Sequence, residues 1–156
     1  MPNDQLSHKE VYMPQPNDAE ITRVYVRSTG GTVEDPTPNI SGGSFDVVVE
    51  NEAGRVLAGG GAPYQISIEA LDLTAGNNPG APFSASTPLG RIFNGLPDWP
   101  QNTQVFTITL NAAQVAAMTN HRLRYTASLL SPDPRNNLPP QVVSFTESKL
   151  FMLVRE

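Results

Sequence analysis

The chain has 156 residues, 38% hydrophobic and only 16% charged, with no cysteine. That length supports a single domain with its own core, and the missing cysteine excludes a disulfide framework, a thiolate zinc site and a cysteine nucleophile. A net charge of −5 with scattered arginines excludes the footprint of a nucleic-acid binder, and no run approaches the ~20 apolar residues of a membrane span.

Residues 1–19 are polar, with Pro2, Pro14 and Pro16, and are expected to form a flexible arm; Val11-Tyr12-Met13 is its one candidate for an edge strand. No apolar leader is visible there. The expectation is a cytoplasmic protein if the chain is complete, and a cell-surface or secreted one if a leader was removed. Residues 20–156 are read as one domain.

Ile21 to Ser28 is the first strand, with Thr22, Val24 and Val26 alternating against Arg23, Tyr25 and Arg27. Phe45, Val47 and Val49 alternate in the next, Ser44 to Glu50. Asn51-Glu52-Ala53-Gly54 reads as a turn that returns Arg55 to Ala58 as a hairpin partner. Tyr64, Ile66, Ile68 and Ala70 mark a third strand. The stretch 74–102, rich in proline and glycine, reads as one long loop with a short strand at Arg91-Ile92-Phe93. Loops of that length in compact domains are often functional.

Phe106, Ile108 and Leu110 define a strand with Thr107 and Thr109 on its other face. Asn111 is placed to cap a short helix, Ala112 to Met118, which Asn120 ends in a left-handed conformation. Leu123, Tyr125, Ala127 and Leu129 alternate next. In the last segment, Gln141 to Val154, Val143 and Phe145 share a face with Phe151 and Leu153, but Glu147 and Lys149 fall between them. A bulge near Thr146–Ser148 resolves the conflict, placed where the strand passes from one sheet to the other. Leu150 to Val154 is expected to be buried.

About seven or eight strands, one short helix near 112–118 and frequent turn signals give an all-β fold, a Greek-key β-sandwich. Barrel closure is the alternative architecture. Residues 103–154 resemble the second half of a bacterial immunoglobulin-like module. The order of elements carries the resemblance: a strand, a helical turn, a strand with Leu123 and Tyr125, a polar loop and a final apolar strand. The resemblance implies that the Tyr125 hydroxyl bonds backbone across a corner, and it implies an adhesive, spacer or appendage role.

Catalytic signals are sparse. His8 lies in the arm and His121 at a helix-to-strand corner, with no nucleophile elbow in the sequence. Gly59-Gly60-Gly61 lacks the spacing of a phosphate cradle. Glu34-Asp35, Glu50 to Glu52 and Asp98 lack the spacing of a calcium loop. No cofactor or metal is expected. Arg23 and Arg27, like Arg122 and Arg124, read as the solvated faces of sheets rather than as anion sites. The site candidates are aromatics of the 74–102 loop: Trp99, Phe93 and Phe83, with Asp98 beside the tryptophan. They serve a partner, stack on a sugar, or plug one end of the sandwich. The expected function is a non-catalytic structural or protein-interaction module, part of a surface or appendage assembly with a protein partner. The alternative is a carbohydrate- or small-ligand-binding sandwich using those aromatics. A hydrolase with an unrecognised site is the third reading.

Overall fold

The computed structural model describes residues 19–53, 63–87, 91–92, 101–131 and 141–156. The strands are β1 (Ala19–Ser28), β2 (Ser44–Ala53), β3 (Pro63–Asp72), β4 (Ala85–Ser86), β5 (Arg91–Ile92), β6 (Gln101–Thr109), β7 (Arg122–Ser131), β8 (Gln141–Glu147) and β9 (Phe151–Met152). The helix α1 (Ala112–Met118) lies between β6 and β7. One antiparallel sheet has the order β1-β2-β6; the other runs β4-β3-β7-β8, with β5 also on β3 and β9 also on β7. The fold is an all-β sandwich.

Alternation decides the inner faces. Val24, Val26, Phe45, Val47, Val49, Phe106 and Ile108 come from the first sheet, and Ile66, Ile68, Ala70, Leu123, Tyr125, Ala127 and Leu129 from the second. At one end the rings of Phe45, Phe83, Tyr125 and Phe151 gather. Tyr125 and Phe151 stack 5.8 Å apart at 5°, and Phe45 lies 6.2 Å from Phe83 and 6.0 Å from Phe151. Offset aromatic pairs of this kind add ~0.5–1.5 kcal/mol each beyond their area burial.

The helix forms where expected. Asn111 accepts from the amide of Gln114 and Gln114 returns the bond, a complete capping box. Asn120 takes φ 71° just past the helix. At the entry to β2, Gly43 sits at φ +85°, and a Cβ there would meet the Leu110 carbonyl at 3.2 Å. Only glycine suits that position, which lets Leu110 donate to the Gly43 carbonyl at 2.7 Å.

Four local expectations are corrected. In β1 a register shift between Ile21 and Arg23 makes Thr22 the extra residue. Ile21 takes the core position and Thr22 is exposed, its hydroxyl on the Glu50 carbonyl. The final segment does break near Ser148, but it stays in one sheet: β8 and β9 both pair with β7. The regular register from Thr126 opposite Glu147 to Leu129 opposite Ser144 sets Phe145 opposite Ser128 on the outer face, where it is 67% exposed. Leu150 is also exposed rather than buried, while Ser148 turns inward and exchanges bonds with the Tyr125 backbone.

Within the 74–102 stretch, residues 74–87 are less irregular than a loop. Asp72 caps a tight turn, accepting from the amides of Thr74 and Ala75. Phe83 then enters the core, β4 pairs with β3, and Thr87 exchanges bonds with the Ile66 backbone. The expected return strand Arg55–Ala58 lies outside the described residues, and β2 has both edges filled, by β1 and β6. The arm, Val11-Tyr12-Met13 included, is also outside them.

Candidate functional site

The two outer flanks of the first sheet differ. At β1 the bulge exposes the peptide groups of Ile21, and β8 supplies hydroxyls for both. The Ile21 amide donates to Ser144 Oγ at 3.0 Å, and Thr146 Oγ1 donates to the Ile21 carbonyl at 3.5 Å. At Ile21 that edge is tied to the facing sheet.

The β6 edge is not. The pairing with β2 runs unbroken from Ser44 opposite Thr109 to Glu52 opposite Gln101. The bond from Leu110 N–H to the Gly43 carbonyl fixes the phase of the ladder. Gln104, Phe106 and Ile108 therefore turn their peptide groups to β2, and Thr103, Val105, Thr107 and Thr109 turn theirs outward. Among the described residues no backbone partner meets those outward groups; the one contact is Gln104 Nε2 on the Val105 carbonyl, at 3.2 Å. Gln101-Asn102-Thr103-Gln104-Val105-Phe106-Thr107-Ile108-Thr109 holds no charge and no proline, and its register shows no bulge. Edge strands normally carry one of these to prevent strand addition.

The outer face beside this edge is ordered in rows. Tyr25, Val48 and Val105 lie opposite one another across the three strands. Val48 is fully buried and Tyr25 nearly so, and the guanidinium of Arg23 sits 4.0 Å from the Tyr25 ring. Val105, at the end of the row, is 37% exposed. One neighbouring row is Arg27, Asp46 and Thr107. Asp46 is buried, and its carboxylate takes Arg27 Nε at 3.2 Å and Thr107 Oγ1 at 2.9 Å. The other is Arg23, Glu50 and Thr103, with Arg23 also paired to Glu34 at 3.1 Å. Arg27 thus neutralises an acid within the sheet and Arg23 one in the loop after β1, and on β7 Arg124 pairs with Glu147 at 3.4 Å.

Away from that edge, His121 Nδ1 meets Asp72 Oδ2 at 2.8 Å. Burial raises the Asp72 carboxyl's affinity for a proton, but the bond and charge of His121 and the amides of Ala75 and Thr74 outweigh it. Its pKa lies below the ordinary value of 3.8. The pair ties the turn after β3 to the start of β7, since Arg122 N–H also donates to Thr74 Oγ1 and Leu73 N–H to the Arg122 carbonyl. Among the described residues no serine or threonine hydroxyl bonds the imidazole, and no three His, Asp or Glu side chains converge to hold a metal ion. A shallow hollow nearby is lined by Leu73, Thr74, Asn120, Arg122, Leu150 and Met152.

Of the residues singled out in the sequence, Phe83 is 3% exposed and packs in the aromatic cluster, where its carbonyl accepts from the Tyr125 hydroxyl at 2.9 Å. Trp99, Asp98 and Phe93 lie outside the described residues. The β6 edge had escaped the sequence reading. Its one signal is the run of nine residues without charge or proline.

Fold and site together define an all-β sandwich with one flank tied to the facing sheet at Ile21 and one strand edge open among the described residues. No family model matches the chain, and no curated protein matches it. Among solved structures it is similar to a candidate β-galactosidase from Bacteroides fragilis, at 14% identity and a TM-score of 0.42. The match covers 85% of this chain but only 17% of that one. Among the described residues no helix is long and apolar enough to cross a membrane.

Proposed function

We propose that this chain is a non-catalytic protein-interaction module, a Greek-key sandwich of the immunoglobulin-like kind that takes its place in a larger surface or appendage assembly by adding a strand at β6. The observation that carries the reading is the set of outward peptide groups of Thr103, Val105, Thr107 and Thr109 on a regular, uncharged edge. Strand addition uses main-chain bonds for affinity and alternate side chains for selectivity. The edge offers both: a row of donors and acceptors, and an outer face on which Val105 alone is apolar between Thr103 and Thr107. The inner face of β6 is already committed, because Phe106 and Ile108 are in the core.

An NMR titration with an extended peptide of alternating threonine and valine tests this. The amides of Thr103, Val105, Thr107 and Thr109 should shift most, with smaller changes in β2. Shifts centred on Phe145 or Leu150, or none at millimolar peptide, would place the interaction elsewhere or remove it.

A further inference from the structure

We propose that the strand added at β6 is the β6 of a second copy of this chain, antiparallel about a two-fold axis through Val105. This rests on the reading of β6 as an open edge and names its partner.

Three observations select a second copy. The first is phase. Val105 is the central residue of the nine in β6, and its peptide groups face outward. An antiparallel two-fold through it pairs Val105 with its own mate, Thr103 with Thr107 and Gln101 with Thr109. Every one of these residues presents outward peptide groups, so the full strand overlaps with each bond made, on the order of ten in all. The second is the unfinished apolar row. Tyr25, Val48 and Val105 run across the sheet and stop at a partly exposed valine. The two-fold continues the row with Val105, Val48 and Tyr25 of the mate and covers that valine. The third is charge. No charged side chain lies on β6, so self-pairing sets no like charges opposite one another at the junction. The flanking rows carry balanced sets, Arg27 with Asp46 and Arg23 with Glu50, and the two-fold joins one to the other through Thr107 and Thr103. Threonine pairs across strands are favourable. The result is one six-stranded sheet in place of two sheets of three strands, an isologous interface that closes on itself and leaves no β6 edge for further growth.

Sedimentation equilibrium on the whole chain, with two charge variants, tests the proposal. The wild type should double its mass with rising concentration. V105K and V105E, each placing like charges face to face at the axis, should remain monomeric with unchanged circular dichroism. An equimolar mixture of the two should recover the dimer, since only a two-fold through this residue brings lysine to glutamate. A control, V33K, alters an exposed valine away from the edge and should dimerise like wild type. A wild type that stays monomeric at several hundred micromolar would overturn the proposal, as would a dimer indifferent to V105K or a mixture that does not recover. If the monomeric protein still binds the alternating peptide along β6, self-pairing alone has failed. If it does not, the open-edge reading fails with it.

Discussion

The hydroxyl of Tyr125 donates to the carbonyl of Phe83 at 2.9 Å, deep between the sheets. The bond links β7 to the segment just before β4, and it sits among four aromatic rings. Both groups are withdrawn from water, and burial lifts the hydroxyl's pKa above its usual value, so the hydroxyl keeps the proton it donates through neutral pH. Tyr125→Phe keeps the ring stack on Phe151 and orphans the Phe83 carbonyl. The expected loss is about 1–2 kcal/mol, measured by urea denaturation. An unchanged midpoint would mean the hydroxyl contributes nothing net.

Asp72 and His121 predict an acid dependence. The folded carboxyl has its pKa below the unfolded value, so its contribution is fully present above the unfolded pKa near 3.8 and is lost as pH falls through the folded one. Thermal unfolding followed from pH 6 down to pH 2 should therefore show a decline beginning near about pH 4 that Asp72→Asn lessens. The variant itself should lose about 1–3 kcal/mol at neutral pH, since it weakens a buried bonded carboxylate. Parallel pH profiles for the two proteins would contradict the assignment.

Asn51 points the other way. It lies in β2 in phase with Val47 and Val49 and is almost fully buried. Among the described residues, neither its amide nitrogen nor its oxygen has a hydrogen-bond partner. An unmet buried amide costs about 1–3 kcal/mol. Asn51→Val, which suits a strand and removes both groups, should raise stability by about 1 kcal/mol or more. A destabilised variant would show that the amide has a role the fold depends on.

Phe106 and Ile108 test the phase of β6 directly. Both are buried, opposite Val47 and Phe45 of β2. Truncation of either to alanine should cost about 2–5 kcal/mol. Thr107→Val is different in kind: it removes the hydroxyl from Asp46 but leaves Arg27 in place, and should cost about 1 kcal/mol. Chemical denaturation of the three variants checks both figures, and near-neutral alanine variants would mean the phase is reversed.

The sequence revealed periods well and neighbours poorly. The capped helix and its left-handed Asn120 were legible because capping chemistry is local. The inner faces of β2, β3, β6 and β7 were legible because alternation is strict there. Thr22 and Phe145 were misplaced for one shared reason. A single extra residue, at Thr22 in β1 or between Glu147 and Phe151, changes which residues face inward on either side of it and leaves no mark on composition. Leu150 was misplaced because the break at Ser148 turns it outward, although the residues that follow it are apolar. Asp72 made the following turn compact through two amide bonds that proline and glycine counting does not register. Whether a strand lies at an edge depends on which strands flank it, a long-range property. Local sequence therefore marks Trp99, Phe93, Phe83 and Asp98 in the loop but not the edge of β6.

Amide hydrogen exchange along β6 reads the state of the open edge residue by residue. In dilute solution Thr103, Val105, Thr107 and Thr109 should exchange quickly, while Gln104, Phe106 and Ile108, bonded to β2, are protected. Raising the concentration should slow the first set alone, as pairing covers the edge. Equal protection of both sets at every concentration would mean that β6 is already covered, and strand addition there would be ruled out.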